Sequence, residues 1–204
     1  MTESRRPLKS RDTALAARAA QKLAATHVTP NQISAASIGF ALLAGGAFCL
    51  SDWSVWWLLL AALGVQMRLL CNLLDGMVAI EGGKKSATGA FWNEAPDRLA
   101  DILILVGMGF GAGIPALGWA AAALAVLTAY VRELGVSAGA QADFSGPMAK
   151  PHRMAVATGA ALLALVLPVA WPVLEIGLWV ITLGAGATAL RRSARVLEWL
   201  KRNG

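Results

Sequence analysis

The sequence predicts an all-α integral membrane protein: six transmembrane helices preceded by an amphipathic helix lying on the membrane. Three observations carry this. The 204 residues are 57% hydrophobic and only 15% charged, where soluble domains run at about half apolar and about a quarter charged; the mean hydropathy is +0.58. The apolar residues gather into long segments, and residues 28–51 contain no charge at all. The bases lie beside those segments rather than on a separate face, so the +6 net charge points to an anionic membrane surface and not to nucleic acid.

Residues 1–9 read as a disordered start. Residues 10–26 read as the membrane-lying helix, with Leu15, Ala19 and Leu23 as an apolar stripe and Arg11, Arg18 and Lys22 as bases. The same periodicity would suit a cap helix away from the lipid. Pro30 then opens the first span, because a proline in the first helical turn loses no hydrogen bond. That span covers 28–51. The second covers about 53–79 and the third 93–113. Ile114-Pro115 makes a turn before the fourth, 117–134. A polar loop, 135–151, leads to the fifth (153–168) and the sixth (174–190). Each reaches roughly 20 residues with its flanks, enough for ~30 Å of hydrocarbon. The organisation is therefore 1–27 as start and surface helix, 28–190 as the six-helix domain, and 191–204 as a basic amphipathic tail.

With six spans, all 18 Lys and Arg fall on one side, and the opposite turns hold only Asp52 and Glu175. The positive-inside rule puts both termini in the cytoplasm. Two cysteines, Cys49 and Cys71, make no disulfide framework. Two isolated histidines, His27 and His152, make no soft-metal site.

The chemistry concentrates between residues 72 and 101, which hold five of the twelve acids: Asp75, Glu81, Glu94, Asp97 and Asp101. Asn72 and Asp75 share a helix face, as do Asn93, Asp97 and Asp101. Two helices joined by a Gly-rich loop would bring these faces together at a membrane boundary, where acids are costly unless used. Oxygen donors alone select Mg²⁺ or Mn²⁺ over Zn²⁺. Gly76 and Gly89 would let a bulky diphosphate approach the backbone, and Lys84 and Lys85 would meet its charge. Arg132, Lys150 and Arg153 bring three more bases to the same level and point to an acidic second substrate. Ion pairing inside a helix bundle is the alternative use of Asp97, Arg98 and Asp101, and lipid headgroup contact that of the three bases.

Asn72, Asp75, Gly76 and Ala79, an eight-residue gap, then Gly89, Asn93 and Asp97 are identified as the pattern of the CDP-alcohol phosphotransferases, DxxDGxxAR and GxxxDxxxD with the same gap. Thr29-Pro30-Asn31, residues 89–99, Arg132-Glu133 and residues 150–153 resemble the members close to phosphatidylglycerophosphate synthase. The resemblance covers nearly the whole chain. It implies a metal-dependent transfer of a phosphatidyl group from CDP-diacylglycerol to a small alcohol, with release of CMP. By carry-over, Asp97 would take the hydroxyl proton. Asn72, Asp75, Asn93 and Asp97 would ligate metal, with Asp101 as a substitute carboxylate. Asp75, Gly76, Ala79, Gly89, Lys84 and Lys85 would meet the donor; Arg132, Lys150 and Arg153 would meet the acceptor, expected to be sn-glycerol 3-phosphate. Inositol, inositol phosphate, serine and choline are the alternative acceptors, and an inactive lipid- or nucleotide-binding relative is the alternative function. The family implies a homodimer and, for this chain, a bacterial inner membrane with a cytoplasmic site.

Three positions depart from the pattern. Asn72 and Asn93 stand where the family has aspartate, and Ile80 where it has arginine. Four carboxylates would hold two divalent ions. Two amides in their place predict weaker metal binding and one ion or two.

Overall fold

A computed structural model describes residues 14–84, 86–167 and 171–203. The described residues form seven helices: α1 (Ala14–Ala24), α2 (Pro30–Cys49), α3 (Trp56–Glu81), α4 (Gly89–Gly111), α5 (Pro115–Ser137), α6 (Lys150–Val166) and α7 (Val173–Asn203). Residues 1–13, including Arg11, lie outside the described residues, as do the side chain of Leu15 and the whole of Lys85.

The helix starts follow local chemistry. Thr29 caps α2: its hydroxyl accepts from the Gln32 N–H, and the Gln32 side chain accepts from the Thr29 N–H at 2.9 Å. This reciprocal pair satisfies two otherwise orphaned groups. Pro30, Pro115 and Pro151 sit in the first turns of α2, α5 and α6.

The packed pairs α3–α2, α2–α4, α4–α5, α5–α7, α7–α6 and α6–α3 close a ring. Its core is Ala-rich, with Phe48, Ile104, Leu105, Met108, Met154, Leu178 and Ile181 as the larger buried groups. Leu59, Leu63, Leu127, Trp119 and Leu183 face outward and are exposed. An apolar exterior around an apolar core is what a bilayer demands.

Four helices are long and apolar enough to cross a membrane: α2, α3, α5 and α7. This makes the chain an integral membrane protein, and the expected number of six is not reached on that measure. α4 carries Glu94, Asp97, Arg98 and Asp101 along its N-terminal part, and α6 has only 17 residues.

Two boundaries also differ. The sixth span and the tail are one helix of 31 residues, since no Gly or Pro separates Leu190 from Arg191. α1 lays Ala16 and Ala20 on α3 beside Cys71, Leu74, Met77 and Val78. Its buried stripe is thus one residue away from the Leu15–Ala19–Leu23 line, and its apolar face meets protein, with Arg18 and Lys22 exposed.

Glycines set the distance between helices. A Cβ on Gly107 would collide with the Gly45 backbone of α2, and one on Gly111 with the Phe48 carbonyl. A Cβ on Gly109 would come within 2.7 Å of Gly118 Cα on α5. The Gly107/Gly111 spacing therefore serves packing within the chain. Gly113, at φ 71°, forms the α4–α5 turn.

Candidate active site

One cavity of about 750 Å³ opens between the C-terminal half of α3, the start of α4, the end of α5 and the start of α6. Asn72, Asp75, Gly76, Ala79 and Ile80 line it from α3. Gly89, Asn93, Glu94, Asp97 and Arg98 line it from α4, and Arg132, Lys150 and Arg153 from α5 and α6. The two halves of the spaced motif thus face each other across one space, as the helix-face argument expects.

The charges inside are organised in layers. Asp101 is fully buried at the back and does not line the cavity. One of its oxygens accepts from Arg153 at 2.6 Å, and the other lies 3.9 Å from Arg68. Arg153, 2% exposed, also donates to the Met148 carbonyl at 2.9 Å. These two residues hold each other. Asp101 therefore lies behind the cavity wall, and Arg153, which lines the cavity, pairs with it.

Asp97 forms the middle layer. Its Oδ1 accepts from Arg68 at 3.0 Å and from the Asn72 amide at 3.0 Å, while its Oδ2 pairs with Lys150. Lys150 Nζ also donates to Asn72 Oδ1 at 2.6 Å. Asp75 differs. It is 5% exposed, and its oxygens accept from the Ser34 hydroxyl and the Gly76 N–H, both at 2.6 Å. Among the described residues no cationic side chain pairs with it.

At the rim, Arg132 pairs with Glu94 and with Glu133, and its guanidinium lies 5.0 Å from the Phe144 ring centre. Arg98 also pairs with Glu94. Lys84 lines the cavity but donates to the carbonyls of Thr26 and Val28, so it ties the α3–α4 loop to the start of α2. Asn31 adds a second tie, donating to Thr88 at 3.1 Å.

The loop before α6 is held by α7. Thr188 accepts from the Met148 N–H at 2.9 Å. Arg192 donates to the carbonyls of Ser145 (3.0 Å) and Thr128 (2.7 Å). Arg195 pairs with Asp143 at 2.9 Å. Partial burial opposes ionisation of Asp143, but hydrogen bonds from the Ser145 hydroxyl and N–H and from Arg195 hold its carboxyl below the ordinary range.

Sequence reasoning missed three contributors. Arg68 stands four residues before Asn72 and seven before Asp75, on the same helix face; an arginine inside an apolar helix was the signal. Ser34 and Arg192 gave none, because their partners are remote in sequence.

No family model matches the chain. An inner membrane protein of Escherichia coli, YnbA, is 36% identical over 78 residues, 38% of each chain. The phosphatidylinositol phosphate synthase of Mycolicibacterium smegmatis is 27% identical over 174 residues, 81% of this chain and 76% of that one. The archaetidylinositol phosphate synthase of Pyrococcus horikoshii is 33% identical over 94 residues, 46% of this chain and 47% of that one. The chain thus spans well under two thirds of two of these three relatives. Among solved structures, phosphatidylinositol phosphate synthase of Mycobacterium tuberculosis with CDP-DAG bound gives a TM-score of 0.77 at 19% identity, over 90% of this chain and 94% of that one. The same enzyme with manganese and citrate also gives 0.77. These last two likenesses concern the fold. The sequence relatives, the matched gap of the motif and its two halves facing one cavity make this chain similar to the CDP-alcohol phosphotransferases.

Proposed function

We propose that the protein transfers a phosphatidyl group from CDP-diacylglycerol to a small phosphorylated polyol and releases CMP. The observation that carries this is the single cavity lined by both halves of the motif, with bases along its α5–α6 wall. The acceptor hydroxyl forms a bond to the lipid-side phosphorus. The bond from that phosphorus to the bridging oxygen breaks, and CMP leaves with the electron pair. Asp97 receives the hydroxyl proton. Its carboxylate has about four lone-pair directions, and Arg68, Asn72 and Lys150 take three of them, which leaves one on Oδ2. Gly76, Ala79 and Gly89 give the diphosphate its approach to the backbone. Lys84 acts on the donor through the loop it fixes.

A divalent cation, Mg²⁺ or Mn²⁺, fits the front of this site. Asp75 is a buried carboxylate without a cationic partner among the described residues, and such a group calls for one. Asn93 lines the same cavity with a further oxygen. When bound, the ion neutralises charge on the diphosphate.

The acceptor reading moves from glycerol 3-phosphate toward an inositol phosphate. Two relatives are named as synthases of inositol phosphate lipids. Either acceptor supplies an anionic group for Arg132 and Lys150. α4 and α6 complete six spans, which puts both termini and the cavity at the cytoplasmic face. The site would then meet a lipid donor from the bilayer and a polar acceptor from the cytoplasm. A homodimer remains the family's expectation for this chain.

The test is CMP release from CDP-diacylglycerol with Mn²⁺ and competing acceptors. Inositol phosphate is expected to support release better than inositol, serine or choline, and Arg132→Ala to raise its KM about tenfold or more, the worth of a charge-assisted bidentate contact. Release with a neutral acceptor alone, or an unchanged KM, overturns the acidic-acceptor reading. A second reading, a binding protein without turnover, draws on the pairing of Asp97 with Arg68 and Lys150; absence of CMP release with every acceptor would establish it.

A further inference from the structure

We propose that the Lys150 ammonium is a built-in cation of this site, so that the protein binds one divalent ion, at Asp75, rather than two. The inference rests on the reading of this cavity as the CDP-alcohol site and specifies its charge.

An amide oxygen attracts a cation less than a carboxylate and cannot offset a divalent charge. In this chain the Asn72 amide oxygen is already taken by Lys150 Nζ at 2.6 Å, and the same nitrogen pairs with Asp97 Oδ2. Arg68 holds the opposite oxygen of Asp97 at 3.0 Å. Every oxygen of the Asn72–Asp97 half therefore faces a donor that the protein itself supplies. A divalent ion entering there would have to displace an ammonium whose side chain is only 14% exposed. It would also sit beside the Arg68 guanidinium.

The other half is built differently. Asp75 is buried, lines the cavity, and is held by a hydroxyl and a backbone N–H, both neutral. A cation at Asp75 would be drawn by an uncancelled carboxylate.

The charge count agrees. Asp75, Asp97 and Asp101 bring three negative charges, and Arg68, Lys150 and Arg153 bring three positive ones. One divalent ion then leaves this inner group of six residues at about +2, opposite in sign to a diphosphate diester. Two ions would leave about +4. Lys150 stands in the first turn of α6, just after the Met148–Thr188 bond, so the fold itself delivers this ammonium to the site.

The experiment is Mn²⁺ binding to the purified full-length protein in lipid nanodiscs, followed by electron paramagnetic resonance and by titration of free Mn²⁺. Wild type is expected to bind one Mn²⁺ per chain, with the spectrum of an isolated ion. The double variant Asn72→Asp with Lys150→Gln is expected to bind two, with the broadened spectrum of a coupled pair. Lys150→Arg keeps the charge and is expected to remain at one. Two ions in wild type overturn the inference, as does no binding to wild type at millimolar Mn²⁺. So does a single ion in a double variant that melts like wild type. If the double variant does not fold, the stoichiometry of wild type and Lys150→Arg decides. CMP release is measured on the same samples. One ion without release keeps this inference and sinks the transferase reading; two ions with release does the reverse.

Discussion

At the scale of single residues, Asp75 and Asp97 line the cavity while Asp101 lies behind its wall. Asp101 and Arg153 are buried against each other. Removing either one leaves an uncompensated charge, which costs about 3–5 kcal/mol, whereas replacing both by apolar groups is often neutral. Asp101→Leu and Arg153→Met are each expected to lower the melting temperature sharply, and the double variant to recover most of the loss. Three equally unstable variants would show that the pair is not a closed unit. Asp97→Asn is expected to fold, since the amide oxygen still accepts from Arg68 or Lys150, yet to lose about 10²-fold or more in turnover. A variant with most of the wild-type rate removes Asp97 as the proton acceptor. The positions of Asn72, Asp75, Asn93 and Asp97 on one cavity were legible from helical spacing alone. The pairing of Asp101 with Arg153 was not, because spacing gives the face of a residue and not its depth: Asp101 stands on the right face but behind the cavity wall, while Arg153 lines the cavity.

At the scale of helices, the approach of α2 to α4 depends on Gly45, Gly107 and Gly111. In lipid such contacts carry association, because burying apolar surface there gains little over the acyl chains. Gly107→Ala would place a methyl group against the Gly45 backbone, which cannot swing aside as a side chain can. The expected result is a destabilised protein, by a few kcal/mol as for other overpacked cores, measured as faster loss of the folded state in detergent. Gly39→Ala, which has open space around it, is the control and should be neutral. Helix positions were largely legible, as the proline starts at Pro30 and Pro115 show. α4 falls short of an apolar span by its charged turns and α6 by its 17 residues, although Asp97 and Asp101 of α4 are paired by bases from α3 and α6. The join of the last span to the tail was hidden by the switch from apolar to basic residues, which changes the solvent of a helix without ending it.

At the scale of the whole molecule, the distal half of α7 holds the 143–149 segment against the bundle. Asp143 has a lower pKa in the folded protein than its unfolded value near 3.9. Its contribution is therefore fully present above that value and is lost as pH falls through the lower folded value. Lowering the pH from 7 to 5 should leave the protection of this segment from proteolysis unchanged, and the protection should weaken only below about pH 4. Loss of protection already at pH 6 would place the controlling group elsewhere. α7 spans about 46 Å at 1.5 Å per residue, and its far end supplies Thr188, Arg192 and Arg195 to hold the segment that leads into Lys150. Deleting residues 188–203 would leave α2–α6 untouched in sequence and take these holds away, so the surroundings of Lys150 would lose their shape without any residue of the spaced motif being changed.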